Sequence, residues 1–428
     1  MRFSTLAEWL QWQEKLHPKS IDLGLERSRK TLNQLKLNTP KHLTITVAGT
    51  NGKGSTIAIL ESILLAAGYS VGSYTSPHLL HYNERIKING TAVNDEAICH
   101  AFDEIDQARG EISLTYFEFG TLAAFSIFQQ ERVDIALLEV GLGGRLDTVN
   151  LLNPDLAIIT AIDIDHTAWL GPDRESIGKE KAGIMRKGIP VICSDPHPPA
   201  SLIESAEKIG ASLELLGRDY DYKVADDGSW ALQHPMQNID SLPGPNLMGE
   251  AQYQNCAGAI AALLSLGNKI QISSAIVAKG LQKQTLPGRF QRIGDSPLVI
   301  LDVAHNPQSA RHLANNLHNL PCGGKRYAVV AMLSDKDQQE ILMALSGLFD
   351  HWMAAGLDVD RGDSGDSIVT IIKSELSESV NQFDSVAEAY QSAMDLAASG
   401  DQIIVFGSFF TVSDILELEL AKTEGELN

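Results

Sequence analysis

The stretch "HLTITVAGTNGKGSTIAILESILLAAGY", residues 42–69, decides the fold. Its first eight residues are rich in β-branched side chains and end in glycine, which predicts a buried strand. Residues 55–69 carry apolar side chains at helical spacing, and Gly68 is placed to stop that helix. Between the two lies "GTNGKGS". A glycine-rich turn from strand to helix presents backbone N–H groups and the positive end of a helix dipole, which suits a phosphate chain. Lys53 adds a fixed charge, and a turn used only for packing needs no lysine between two glycines. The loop still departs from the common G-x-x-x-x-G-K-[ST] pattern. Val47 stands where the first glycine falls, Gly54 stands where the metal-binding hydroxyl falls, and Ser55 comes one residue late.

Two other places offer oxygen to a magnesium ion. Glu139, in "LEVGLGG" (138–144), follows an apolar run at a strand end, the position of a Walker-B acid. Its bland reading is a carboxylate at an exposed strand terminus. Ser76, in "TSPHLLHYNERI" (75–86), ends the next short strand (70–76), and in open α/β sheets ligands gather at the carboxyl ends of strands. Read alone, Ser76 is a turn residue.

Apolar runs at 131–141, 154–163 and 188–194 alternate with helical patterns, so parallel βαβ units are expected. The pattern pauses at "TLPGRFQRIG" (285–294) and restarts with a strand at 297–307, a helix at 308–320, and strands at 326–333, 351–357 and 402–408. The fold class is α/β in two domains: residues 1–286 as a P-loop domain, 287–296 as a linker, and 297–428 as a Rossmann-like domain. The length, 428 residues, fits two or three domains at about 100–200 residues each. A net charge of −20 argues against a general nucleic-acid binder, which needs a basic face, but leaves room for a small-anion pocket. Cys99, Cys193, Cys256 and Cys322 have no zinc-type spacing and read as reduced thiols of a cytoplasmic protein. The amphipathic N-terminus has no signal-peptide h-region, and no apolar run reaches the ~20 residues of a membrane span.

"VAGTNGKGS", "TSPHL", "LTYFEFGTLAA", "LEVGLGGRLD", "DHTAWLGP", "IGKEKAGI", "LPGRFQ" and "DVAHNP" follow one another in that order, within residues 21–412. In this the chain resembles the bacterial bifunctional dihydrofolate synthase/folylpolyglutamate synthase family of the Mur ligase superfamily. The resemblance implies a Mur ligase central-type P-loop domain followed by a Rossmann-like ligase domain. It implies ATP held by Thr50, Asn51, Gly52, Lys53, Gly54 and Ser55, with Asn255, Arg289 and Asp302 also around the nucleotide and His305 beside them in a catalytic role. It implies that Ser76, Glu139 and His166 bind magnesium, with Ser76 replacing the missing loop hydroxyl. Lys181 resembles a lysine that this family carbamylates with CO2. A carbamate supplies an anionic oxygen where an ammonium would repel a second magnesium ion. Ile21, Asp22 and Leu23, Thr115, Tyr116, Phe117 and Glu118, and Leu146, Asp147 and Thr148 match segments that hold the pterin.

The implied activity is an ATP-dependent amide ligase, with Lys53, Glu139, His166, Lys181 and His305 carrying the chemistry. Its substrates are dihydropteroate, reduced folates and L-glutamate, and it acts as a monomer without nucleic acid or membrane. A folylpolyglutamate synthase without dihydropteroate activity is the nearest alternative, and a P-loop kinase or nucleotide switch the alternative from another class. The chain departs from its relatives at "GSFFTV", where Phe410 stands for a common histidine, and at Cys256 and Gly258.

Overall fold

The computed structural model describes residues 1–426, with side chains described to Lys422. The last two residues of the second expected domain lie outside the described residues. The chain forms two compact units. The first comprises residues 1–78, 82–246 and 252–285, and the second comprises 79–81, 247–251 and 286–428. Neither unit is therefore one uninterrupted stretch.

The first unit is built on eight strands: β1 (Leu43–Ala48), β2 (Val71–Tyr74), β3 (Ile86–Ile88), β4 (Thr91–Ala92), β5 (Ile135–Glu139), β6 (Leu156–Ile159), β7 (Pro190–Cys193) and β8 (Ser212–Leu215). They lie in the order β4-β3-β2-β5-β1-β6-β7-β8, parallel from β2 to β8 and antiparallel at the β3–β4 edge. Helices cover both faces, so the central strands are apolar on both sides. On β5, Ile135 and Leu137 enter one core while Ala136 and Leu138 enter the other. The helix Lys53–Ala66 buries Ile57, Ile59, Leu60, Ile63 and Leu64 against the sheet, and Gly68 follows it at φ +90°. Leu6–Leu16 begins with a capping box between Thr5 and Glu8 and buries Trp9 among Phe102 and Phe119.

A three-stranded antiparallel sheet, β9 (Asp221–Val224), β10 (Trp230–Gln233) and β11 (Ile239–Leu242), completes the first unit. The sequence reading has no element there. Its strands are short and half polar, which leaves little apolar pattern to read.

The second unit holds β12 (Gln291–Asp295), β13 (Leu298–Asp302), β14 (Arg326–Val330), β15 (His351–Ala355), β16 (Val380–Phe383) and β17 (Gln402–Phe406). Their order is β12-β13-β17-β14-β15-β16, parallel except for the β12–β13 edge. Residues 291–295, expected within the linker, are thus an edge strand of this sheet. The polar sequence QRIGD pairs along one side only, so nothing in its composition marks it as a strand.

Candidate active site

The phosphate loop leaves the end of β1 and is fastened to the end of β6. Thr50 N donates to Ala161 O (2.8 Å), Thr50 Oγ1 donates to Asp163 O (2.9 Å), and Thr160 Oγ1 donates to Asn51 O (2.7 Å). This packing fixes the glycines. A Cβ on Gly49 would lie 1.7 Å from the Oγ1 of Thr160, which is fully buried. Gly52 has φ +90° and N-caps the helix Lys53–Ala66, and a Cβ there would lie 2.6 Å from Asn255 Oδ1. The first obligatory glycine is therefore at 49 rather than 47, because the close approach to β6 occurs there. No side chain caps this helix among the described residues, so its first amides suit an anion. Lys53 Nζ donates to Gly49 O (3.2 Å) and Thr50 O (3.1 Å), lying folded over the loop.

Neighbouring strand ends bring the other groups to the same edge of the sheet. Glu139 ends β5 almost completely buried, and its Oε2 accepts the amide of Ser76 (3.2 Å), just beyond β2. The structure thus brings the backbone of Ser76 against the Glu139 carboxylate. His166 lies on the loop after β6 with φ +53°, exposed, its Nε2 4.0 Å from Asp165 Oδ1. Among the described residues no group of three or more His, Cys, Asp or Glu side chains is arranged to hold a metal. A set made of Ser76, Glu139 and His166 contains only two such residues. Lys181 ends the helix Arg174–Lys181 and is buried. Burial, and then the charge of Lys53, push its amine down to about 7, and Asp165 opposes them. Asp165 is a neighbour of this cluster that the sequence reading did not single out.

Asp147 is buried and accepts the amides of Leu142 and Val149 (both 2.9 Å). Burial pushes its carboxyl up to about 6, against those amides and the charge of Lys53. A Cβ on Gly141 would meet the Phe117 ring at 2.6 Å and Asp147 Oδ2 at 3.4 Å, so ring and carboxylate border one glycine. Thr148 opens the short turn Thr148–Leu151 that Asp147 caps, and Leu146, half-buried, precedes it.

Tyr116 and Phe117 start the helix Tyr116–Gln130, which Thr115 and Glu118 close with a capping box. Glu118 also accepts Ser28 Oγ (2.8 Å) and Arg27 Nη2 (3.2 Å). The side chains of Thr115 and Glu118 are therefore engaged in holding the two aromatic residues in place. Asp22 pairs with Arg27, His17 (3.3 Å) and Lys19 (3.6 Å), which fastens the half-buried Ile21 and Leu23 segment. Asn255 is buried, with Nδ2 on Gln252 Oε1 (3.1 Å). Cys256 is buried next to it, and Gly258 faces Ser194 Oγ so closely that a Cβ would lie 1.9 Å away.

In the second unit, Asp302 accepts the amides of Phe290 (2.9 Å) and Ala304 (2.8 Å), and burial raises its carboxyl against the charge of Arg289. The Arg289 guanidinium lies 5.4 Å over the Phe409 ring, and the His305 ring lies 6.0 Å from that ring. Arg289, Asp302 and His305 are thus gathered, and Phe409, which lies in the GSFFTV stretch beside Phe410, touches two of them. Phe410 is exposed at the start of the helix Phe409–Glu426.

Residues 47–263 match the Mur ligase middle domain, and residues 288–409 match the Mur ligase glutamate ligase domain. The chain is 44% identical to the Escherichia coli dihydrofolate synthase/folylpolyglutamate synthase, covering 99% of this chain and 97% of that protein. The structure resembles that of E. coli FolC in complex with DHPP and ADP, with a TM-score of 0.94 and 44% identity over 98% of this chain and 99% of the other. It also resembles a bifunctional folylpolyglutamate synthase/dihydrofolate synthase with Mn, AMPPNP and L-glutamate bound, with a TM-score of 0.90 and 44% identity over 97% and 98% of the two chains. The chain belongs to the dihydrofolate synthase/folylpolyglutamate synthase family of Mur ligases.

Proposed function

We propose that this protein is an ATP-dependent amide ligase that joins L-glutamate to 7,8-dihydropteroate, giving dihydrofolate, and to the γ-carboxylate of reduced folates. A carboxylate oxygen of the acid attacks the γ-phosphorus of ATP, and ADP leaves. The amine of glutamate then attacks the acyl carbon of the resulting acyl phosphate, forming the amide and releasing phosphate with that oxygen. The observation that carries the reading is the sharing of one sheet edge by the phosphate loop, the Ser76–Glu139 pair and the Phe117–Asp147 wall.

The residues position and neutralise charge more than they react. Lys53 swings from the loop carbonyls to the outer phosphates, and the helix amides hold the phosphate chain. Phe117 offers a flat face to the pterin and Asp147 a carboxylate beside it. Arg289, Asp302, His305 and Asn255 act on the nucleotide, as the resemblance implies. The Ser76 amide donates to the Glu139 carboxylate, so the two residues meet at one strand end. The Ser76 hydroxyl and that carboxylate are hard oxygen donors of the kind magnesium takes, and with His166 they would hold the ion, as the resemblance implies. Burial and the charge of Lys53 disfavour the charged form of Lys181, whereas its carbamate would supply an anionic oxygen to a second ion, as the resemblance implies. Bound there, the ions supply positive charge to the phosphoryl oxygens. The protein works as a monomer in the cytoplasm, and none of its described helices is long and apolar enough to cross a membrane.

ATP-dependent incorporation of labelled glutamate, assayed separately with dihydropteroate and with tetrahydrofolate, tests the proposal. Incorporation with both supports it. ADP formation indifferent to glutamate, or no incorporation with either acid, overturns it.

A further inference from the structure

Arg85 is a cation without a counter-charge, in a chain whose net charge is −20. It ends the turn Tyr82–Arg85, and its carbonyl accepts the amide of Thr75 (2.9 Å), one residue before Ser76. Its guanidinium carbon lies over the rings of Tyr82 (5.3 Å) and Tyr116 (5.4 Å). Its Nε donates to His78 Nδ1 (2.8 Å). Among the described residues, Nη1 and Nη2 make no hydrogen bond, and no carboxylate comes within ion-pair distance. The residue is only half-exposed. A partly buried guanidinium is costly unless something offsets its lost hydration. Two aromatic faces offset part of that cost and set the plane of the group. His78 fixes the Nε side, which leaves the fork of two terminal nitrogens presented as a planar pair of donors, the geometry that matches a carboxylate.

The surroundings indicate which carboxylate. Through Tyr116 the guanidinium is tied to the aromatic wall, since Tyr116 precedes Phe117 and its ring meets that of Tyr82 at 5.6 Å. Through Thr75 it is tied to the strand end that carries Ser76. The two acids of the proposed reaction differ at this point. Dihydropteroate has one carboxylate, which must attack phosphorus, and a guanidinium clamped on it would withdraw the electron pair that attacks. A folate ends in glutamate, whose γ-carboxylate reacts and whose α-carboxylate is left over.

We propose that Arg85 is a specificity residue for the folate substrate, its free fork receiving the α-carboxylate of the terminal glutamate. The assignment rests on the ligase reading above. It makes Arg85 serve folate glutamylation and leave dihydrofolate synthesis nearly untouched, so one sheet edge accepts both acids.

The test compares kcat/KM for tetrahydrofolate and for dihydropteroate in wild type, Arg85→Gln and Arg85→Lys. With tetrahydrofolate, Arg85→Gln is expected to lose about 10- to 100-fold, mostly in KM, the scale of a hydrogen-bonded charge pair. With dihydropteroate the change stays within threefold, and Arg85→Lys recovers part of the loss. A second measurement uses a reduced pteroyl substrate ending in γ-aminobutyrate, which keeps the reacting carboxylate and lacks the α-carboxylate. Wild type is expected to handle it as poorly as Arg85→Gln handles tetrahydrofolate, and Arg85→Gln makes it no worse. Because wild type alone gives the first half of that result, the proposal stays testable if the variants fail to fold. Equal losses with both acids, a loss confined to dihydropteroate, or full wild-type efficiency with the γ-aminobutyrate substrate overturns the assignment. If wild type glutamylates neither acid, the ligase reading falls and the assignment with it.

Discussion

Replacing Gly52 with Ala tests the phosphate loop at the position where its shape is most constrained. Two costs follow from the structure. A residue with a Cβ at φ +90° takes a conformation that costs about 1–2 kcal/mol outside glycine. The new Cβ would also lie 2.6 Å from Asn255 Oδ1, and Asn255 is buried. Turning that side chain away breaks its bond to Gln252 Oε1, worth about 1 kcal/mol. Together these disfavour the binding shape of the loop by roughly 2–3 kcal/mol, or about 30- to 150-fold in its population. The dissociation constant of Mg·ADP, measured by titration calorimetry, should rise by that factor, while a thermal melt shows the fold intact. The two costs separate in a double-mutant cycle. In an Asn255→Ala background the contact is gone, so adding Gly52→Ala should cost only the dihedral part, roughly 5- to 30-fold. ADP affinity within threefold of wild type in Gly52→Ala would refute the loop geometry. An unchanged penalty in the Asn255→Ala background would refute the contact.

Lys53→Ala should lower turnover by roughly two orders of magnitude or more, the scale of losing one strong electrostatic donor to a transferring group, and steady-state kinetics on folded protein checks it. Ser76→Ala and Glu139→Ala should each raise the magnesium concentration needed for half-maximal rate, Glu139→Ala more because it also removes a charge; an unchanged magnesium curve in both would exclude the pair as ligands. Lys181→Ala should lose most activity while keeping its melting temperature, with partial recovery in acetate. Since only the neutral amine takes up CO2, and burial with Lys53 pushes this amine down to about 7, a 13C carbamate signal at a fixed concentration of dissolved labelled CO2 should be strong at pH 8, weaken roughly a hundredfold per unit well below pH 7 because the ammonium sheds one proton and carbamate formation a second, and be missing from Lys181→Arg.

Local patterns were legible in the sequence, and tertiary ones were not. The strand, glycine loop and helix of residues 42–69 could be read because their periods and turn residues are local, and so could the alternation that places Glu139 and Ser76 at strand ends. The reason for Gly49 was hidden, because the atom it must avoid, Thr160 Oγ1, is more than a hundred residues away in the chain. Asp165 and Phe409 matter through what they face, which spacing does not reveal. Thr115 and Glu118 match a substrate segment, yet their side chains close a helix cap, a use that the T-x-x-E spacing itself announces. Arg85 lies in a stretch quoted for other reasons. Only its missing partner distinguishes it, and a missing partner cannot be read from one dimension.

The central claim is that the acid is activated by phosphorylation before glutamate attacks. Dihydropteroate labelled with 18O in its carboxylate, incubated with the enzyme, ATP, magnesium and L-glutamate, tests it directly by mass analysis of the phosphate released. One label oxygen should appear in phosphate for each amide formed, because the oxygen that attacks phosphorus leaves with it. Phosphate free of label, released at the rate of ADP formation, would contradict the account.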